Sequence, residues 1–260
     1  MMRIGSKKWR NIIYEGAEKL GVPIEQGNME KFSIHAIELI RWNQKINLTA
    51  ITDPMEIAVK HFLDAIAPIP HISPTGSLLD IGSGGGFPGI PLKICLPSVS
   101  ATLIDASRKK INFVKHVIRI LALENIYAFH VRAEDFAKKP EAAHQFDVII
   151  SRALSSMTTF AVTAIPFLKK DGVIIAMKGA VSDHDFRMMR TSLNKEPGAR
   201  GTELERYELS VKRYTLPYLN LNRSMICLKK KGLRVQSSEF SKNRKEERPA
   251  AVGGPGTSFP

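Results

Sequence analysis

The chemically most suggestive spacing in the chain is a carboxylate followed by glycines at alternate positions, Asp80-Ile81-Gly82-Ser83-Gly84-Gly85-Gly86-Phe87-Pro88-Gly89. Leu78 and Leu79 lead into it, and Ile90 and Leu92 resume at helical spacing, so a buried strand runs into a tight loop and then a helix. Pro88 and Pro91 suit a first helical turn, where an N–H would have no intrahelical acceptor. Glycines admit positive φ and let a ligand come within contact distance of the main chain. A loop of this kind, at the carboxyl end of a strand, is where open α/β sheets take nucleotide-like ligands. Two ligand classes compete for it. Gly84-x-Gly86-x-x-Gly89 satisfies the dinucleotide fingerprint, which would make the chain a nicotinamide-dependent oxidoreductase, but that register starts two residues too late after the strand. Read from Asp80, the pattern is acid-x-Gly-x-Gly-x-Gly; Asp80 would repel a pyrophosphate and suits a cationic amino-acid moiety.

Further residues are expected beside this loop, at the same edge of one sheet. Asp105 ends the next strand, where its carboxylate can accept from both ribose hydroxyls or cap the helix that follows. Arg132-Ala133-Glu134 ends the third strand, where a backbone N–H and a carboxylate can read an adenine edge; Glu134 also suits ordinary first-turn helix chemistry. Ser151-Arg152 ends the fourth and brings a cation to the mouth, to be paired with Asp80 or with a ligand carboxylate. Lys178 ends the fifth strand and Arg223 precedes the last, each also readable as a solvated surface group. His61, beside Lys60, is a catalytic candidate along with Lys178, or a structural histidine. No metal site is expected, since Cys95 and Cys227 cannot form one alone.

Holding these residues at one edge takes a particular order of elements. Residues 1–20 read as a basic amphipathic helix with Trp9, Ile12, Ile13 and Leu20 apolar, ended by Gly21 and Pro23. A second helix over 28–42 carries Phe32, Ile34, Ile37 and Ile40. After the polar break 43–49, Asp53-Pro54 starts a third, with Asp53 as N-cap. Together they form a cap over 1–70, too poor in apolar surface to stand alone. Strands at 101–105, 126–131, 146–151 and 172–177 then alternate with helices at 109–123 and 158–168, which gives right-handed β–α–β units and a parallel sheet. A helix over 182–193 and an antiparallel pair, 203–209 with 224–229, close a domain spanning 71–231. Beyond it, 232–260 loses apolar periodicity and is expected to be a disordered basic tail.

Composition narrows the partners. The 260 residues are 43% hydrophobic with a formal net charge of +13. From Lys229 onward eight basic residues face three acidic ones, so +5 belongs to the end of the chain and +8 to the body. A body this basic favours nucleic acid. No run approaches a membrane span or a signal peptide, so a cytoplasmic protein without a membrane partner is expected, and a monomer.

The combination of motifs resembles one family. Residues 42–49, Lys60-His61-Phe62-Leu63-Asp64, the run 80–92, Arg132-Ala133-Glu134, Ser151-Arg152-Ala153 and Met177-Lys178-Gly179 stand in the order found in the GidB (RsmG) family, bacterial methyltransferases of small-subunit ribosomal RNA, over about 37–230. The resemblance implies an α/β, Rossmann-like S-adenosylmethionine methyltransferase fold: a mostly parallel sheet with an antiparallel closing pair and an N-terminal helical cap. It implies S-adenosylmethionine as cofactor, in contact with Gly82, Phe87, Ala133, Glu134 and Arg152 and with Asp105 facing the ribose; the reading of the loop adds Asp80, Gly84 and Gly86 to the cofactor site. It places Arg132, Lys178 and Arg223 on the RNA side, and 16S ribosomal RNA or the assembling 30S particle as partner. The reaction it implies is methylation of guanine N7. That atom has a free lone pair, so no general base is needed, in keeping with the lack of a His/Asp dyad. The alternatives are the oxidoreductase above and a non-catalytic ribosome-assembly factor that binds RNA. The basic tail departs from the family pattern.

Overall fold

The computed structural model describes residues 2–152, 156–195 and 206–232. Seven strands form one sheet, β1 (Gly76–Ile81), β2 (Val99–Asp105), β3 (Ile126–His130), β4 (Phe146–Arg152), β5 (Leu168–Lys178), β6 (Tyr207–Leu216) and β7 (Leu221–Lys230), in the order β3-β2-β1-β4-β5-β7-β6. Strands β1 to β5 run parallel, and β7 pairs antiparallel with both β5 and β6. This is the mostly parallel sheet with an antiparallel closing pair anticipated from the sequence. The chain moves outward from β1 to β3 on one side and from β4 on the other. The carboxyl ends of β1 and β4 therefore flank the point where strand order reverses, the place where such sheets leave a crevice for a ligand.

At the central strands both sheet faces are buried, which accounts for the near-continuous apolar runs of β1, β4 and β5. Leu78, Leu103, Ile150, Ile175 and Cys227 face one core with the N-terminal helices α1 (Lys7–Lys19) and α2 (Asn28–Asn43) and with α5 (Gly89–Cys95) and α6 (Arg108–Ile120). Leu79, Ile104, Ile149, Ile174 and Ile226 face the other, shared with α8 (Met157–Ala164) and α9 (Asp183–Lys195). The short α7 (Ala133–Phe136) follows β3.

The N-terminal helices form for the reasons their sequence offers, with two differences, and a third lies in the sheet. Ser6 caps α1 by accepting from the Trp9 N–H, and Trp9 itself is fully buried, its Nε1 donating to Pro54 O at 2.9 Å. Asp53 accepts from the N–H groups of Met55 and Glu56, both at 2.9 Å. The helix that follows changes its winding. After α3 (Pro54–Glu56), residues Ile57–Leu63 form a π-helical stretch, and α4 (Asp64–Ile66) completes the segment. Wide turns of this kind occur often at functional sites, and here the stretch carries His61. In α2 the inward face is Met29, Phe32, Ala36 and Leu39, while Ile37 is 49% exposed. The spacing 29-32-36-39 follows the 3.6-residue period, whereas 34-37-40 drifts away from it. Finally, β6 extends to Leu216 because its register with β7 continues through Leu216 and Leu221. Residues 203–205 of the expected strand, Ala153, and the tail from 233 lie outside the described residues.

Candidate functional site

The glycine run begins where β1 ends. Gly82 and Ser83 donate to Ile104 O at 2.8 and 3.1 Å, which ties the loop to the end of β2, and Gly86 and Phe87 donate to Ser83 O at 2.8 and 2.9 Å. Gly82 and Gly84 take φ of +75° and +55°, a region that L side chains rarely enter. A Cβ on Gly82 would meet nothing within 4 Å, and one on Gly84 only Gly82 O at 3.9 Å. The backbone there borders open space at the crevice. Gly86 differs: its Cβ would lie 2.5 Å from Ile90 Cδ1, so it serves packing beneath the loop.

Two carboxylates hold the loop from below and from the side. Asp80 is fully buried; its Oδ2 accepts from Gly89 N–H at 2.8 Å, while Oδ1 has no hydrogen-bond partner. Burial pushes its pKa up to about 7, against the pull of the Gly89 hydrogen bond and of Arg152. Asp80 thus lies beneath the loop and acts on a ligand through the backbone it anchors. Asp105 Oδ2 accepts from Gly84 N–H at 2.9 Å and Oδ1 from Ser107 N–H at 2.8 Å. It bridges the loop to the start of α6, whose N-cap is Ser107, and remains partly exposed at the end of β2.

Phe87 is 3% exposed and stands between two imidazoles, stacked on His35 at 4.6 Å and on His61 at 4.7 Å between ring centroids. Both histidines are neutral. Burial lowers the pKa of His35 to about 4, opposed by its hydrogen bond to Gly85 O; burial, then Arg152, takes His61 to about 3. His35 Nε2 donates to Gly85 O at 2.8 Å, a bond that reaches from α2 into the glycine loop. His61 accepts from Arg152 Nη2 on Nδ1 at 3.3 Å, so its Nε2 carries the proton toward Thr49 Oγ1 at 2.9 Å. Thr49 is in turn held by Asn43, whose Oδ1 accepts from its N–H at 2.9 Å. The polar break after α2 is therefore a clasp. His61, a catalytic candidate from the sequence, forms a wall behind Phe87 with both nitrogens engaged.

Arg152 ends β4 across the switch point from the loop. Its guanidinium lies 5.1 Å from the Phe87 ring centroid, and Nη1 donates to Lys60 O at 3.0 Å. The sequence suggests Asp80 or a ligand carboxylate as its partner; Asp80 is turned into Gly89, and the structure pairs Arg152 with Asp64, Nη1 lying 3.9 Å from Oδ2. Asp64 also accepts from Tyr214 Oη at 2.8 Å and lies 3.6 Å from Arg223 Nε. Burial raises its pKa, opposed first by Arg152. Arg223, expected on an RNA face, therefore sits beside this carboxylate with its side chain 22% exposed.

The remaining candidates lie farther along the same edge. Arg132 is the N-cap residue of α7, with Ala133 and Glu134 in its first turn; Arg132 and Glu134 are exposed and Ala133 is half-buried. Lys178 ends β5 in register with Ser224 of β7, next to Arg223. The edge thus brings together Gly82, Gly84, Phe87, Asp105, Arg152, Lys178 and Arg223. His35 and Tyr214 have no local signal in the sequence, and Asp64 stands in the 60–64 motif without a role assigned to it there. Among the described residues no cluster could hold a metal ion, and no helix is long and apolar enough to cross a membrane.

Comparisons with known proteins bear on the family and the fold. The family model GidB, rRNA small subunit methyltransferase G, matches residues 28–201. A protein named ribosomal RNA small subunit methyltransferase G from Geotalea uraniireducens is 44% identical over 202 residues, covering 78% of this chain and 91% of that protein. Its namesake from Geobacter sulfurreducens is 42% identical over 218 residues, with 83% and 94% covered. Among solved structures, a SAM-dependent methyltransferase from Aquifex aeolicus is similar with a TM-score of 0.50 at 15% identity, over 70% of this chain and 96% of that one. At that identity the likeness concerns the fold, which is the Rossmann-like methyltransferase fold.

Proposed function

The chain belongs to the GidB family, rRNA small subunit methyltransferase G, and from that premise we propose that it methylates N7 of a specific guanine in 16S ribosomal RNA. Its cofactor is S-adenosylmethionine, which when bound supplies an electrophilic methyl group on a sulfonium. The observation that carries the reading is the open cradle over Gly82 and Gly84 at the strand-order switch, with Asp105 beside it at the end of β2. Backbone free of side chains admits close approach of a ligand. Asp105, still partly exposed, would accept from ribose hydroxyls while steadying Gly84. Ala133 and Glu134 would flank the adenine. Arg152, whose charge is only loosely met by Asp64, would take the cofactor's carboxylate.

The rest of the chemistry asks little of acid–base groups. A guanine N7 lone pair needs no proton removed, and His61, the catalytic candidate, is neutral with both ring nitrogens engaged. The work of the chain is to hold the base in line and to keep water out, which lowers the barrier by positioning. Arg132, Lys178 and Arg223 would engage phosphates of an RNA whose target base is unstacked from its loop. The test is methyl transfer to 30S particles, and to naked 16S RNA, from a strain lacking the modification, with mass spectrometry to locate the methyl group. Transfer to N7 of one guanine is expected. A methyl on another atom would refute the guanine-N7 assignment, and no transfer to either substrate would refute the enzymatic reading.

A further inference from the structure

We propose that Asp64 is a positioning residue that fixes the guanidinium groups of Arg152 and Arg223 at the mouth of the site, Arg152 serving the cofactor and Arg223 the RNA. This rests on the function proposed above. Four separate segments meet at this carboxylate: α4 provides Asp64, β4 Arg152, β6 Tyr214 and β7 Arg223. Asp64 is 5% exposed, so ionising it there costs solvation. Its two arginine contacts, at 3.9 and 3.6 Å, are longer than a hydrogen-bonded fork, and pairs of that geometry recover such a cost poorly. Stability is thus a weak reason for a carboxylate at this position.

Its placement is a better one. The Tyr214 hydroxyl at 2.8 Å fixes Oδ1, and Arg152 is steered further by Lys60 O and His61 Nδ1. Arg223 has Asp64 as its carboxylate and, among the described residues, otherwise donates to Asn222 O at 3.4 Å. One carboxylate therefore sets the direction of two cations, with Lys178 ending the strand beside them. Cations outnumber the carboxylate they share, which suits an incoming phosphodiester. Without Asp64, Arg223 would keep its charge and lose its orientation.

The test compares methyl transfer to unmethylated 30S particles by wild type, Asp64→Asn, Tyr214→Phe, Arg223→Ala and the two double variants with Arg223→Ala. Asp64→Asn is expected to raise KM for the particle about tenfold with kcat within about threefold of wild type, because ground-state binding is lost. In the Arg223→Ala background the same change should raise KM less than about twofold, since the residue it orients is gone. An unchanged KM, or equal effects in both backgrounds, would overturn the proposal. If Asp64→Asn does not fold, Tyr214→Phe decides, as it removes one hydroxyl and no charge. A rise of about threefold in KM that vanishes with Arg223→Ala supports positioning, and a rise of equal size in both backgrounds refutes it. A wild type that transfers no methyl group would instead refute the proposed function.

Discussion

Gly89 and Asp80 fix each other's identity. The Gly89 N–H donates to Asp80 Oδ2 at 2.8 Å, and a Cβ on Gly89 would lie 2.8 Å from that same oxygen and 2.9 Å from Leu103 Cγ. Gly89→Ala should therefore force the buried carboxylate off its only donor and destabilise the protein by roughly 1–3 kcal/mol, the usual cost of overpacking. Denaturant unfolding would measure it. Stability equal to wild type would mean that the loop can shift freely over β1.

The charge state of Asp80 has its own signature. Folded, it titrates near 7 instead of 3.8, so between those values the native state keeps a proton that the unfolded chain has released. Its contribution to stability falls as pH rises through that window. Asp80→Asn retains an acceptor for Gly89 and has no charge to desolvate. Relative to wild type it should gain on the order of 2 kcal/mol between pH 5 and pH 8. Parallel stability curves for the two proteins would contradict this.

Neighbouring glycines should separate binding from folding. Gly84→Val projects into open space, so S-adenosylmethionine binding should be lost while stability changes by only about 1–2 kcal/mol for the positive φ. Gly86→Val meets Ile90 at 2.5 Å and should damage the fold itself. Calorimetric binding beside thermal unfolding distinguishes the two, and normal binding by Gly84→Val would remove the loop from the cofactor site.

Asp105→Ala takes away an acceptor for the cofactor and also releases the N–H groups of Gly84 and Ser107. Cofactor affinity should fall by roughly 1–3 kcal/mol. Asp105→Asn keeps an acceptor and should lose less. Unchanged affinity in the alanine variant would leave Asp105 as a brace between loop and helix.

Arg132 is exposed at the start of α7, in a position to meet phosphate. Arg132→Ala should weaken RNA binding and flatten the log–log salt dependence by about 0.7, the single-strand value for one phosphate contact. Deletion of residues 232–260 should weaken binding at low salt and leave the rate at saturating RNA unchanged, as expected of diffuse attraction. Loss of turnover at saturation on deletion, with Arg132→Ala fully active, would move the RNA face.

Much of the frame could be read from local pattern. The acid–glycine run sat between an apolar strand and a helical spacing, and β2, β4 and β5 end in the polar residues Asp105, Arg152 and Lys178 that line the edge. What escaped was assembled from distant parts of the chain. His35 lies on a helix among apolar neighbours and meets Phe87 52 positions later; Asp64 meets Tyr214 150 positions later. His35 sits in no spacing that marks it, and the 60–64 motif that contains Asp64 does not show its partners. Arg152 was placed at the mouth with Asp80 or a ligand carboxylate as partner, and its pairing with Asp64 was not legible, because a strand pattern shows where a side chain starts and not which partner is already engaged. Ile37 of α2 differs for another reason: the helix is apolar on more than one side, so that Ile34 and Ile40 pack at the margin of the core while Ile37 faces out.

The His35–Phe87–His61 stack has a consequence for how the molecule comes apart. The tip of the glycine loop is wedged into a wall built by α2 and the π-helical stretch, and His35 is bonded to the loop's own Gly85 carbonyl. The N-terminal helices and the loop should therefore open as one cooperative unit. Their amides would share a single free energy of hydrogen exchange, and removing the first two helices would disorder the cradle that lies at the far side of the stack.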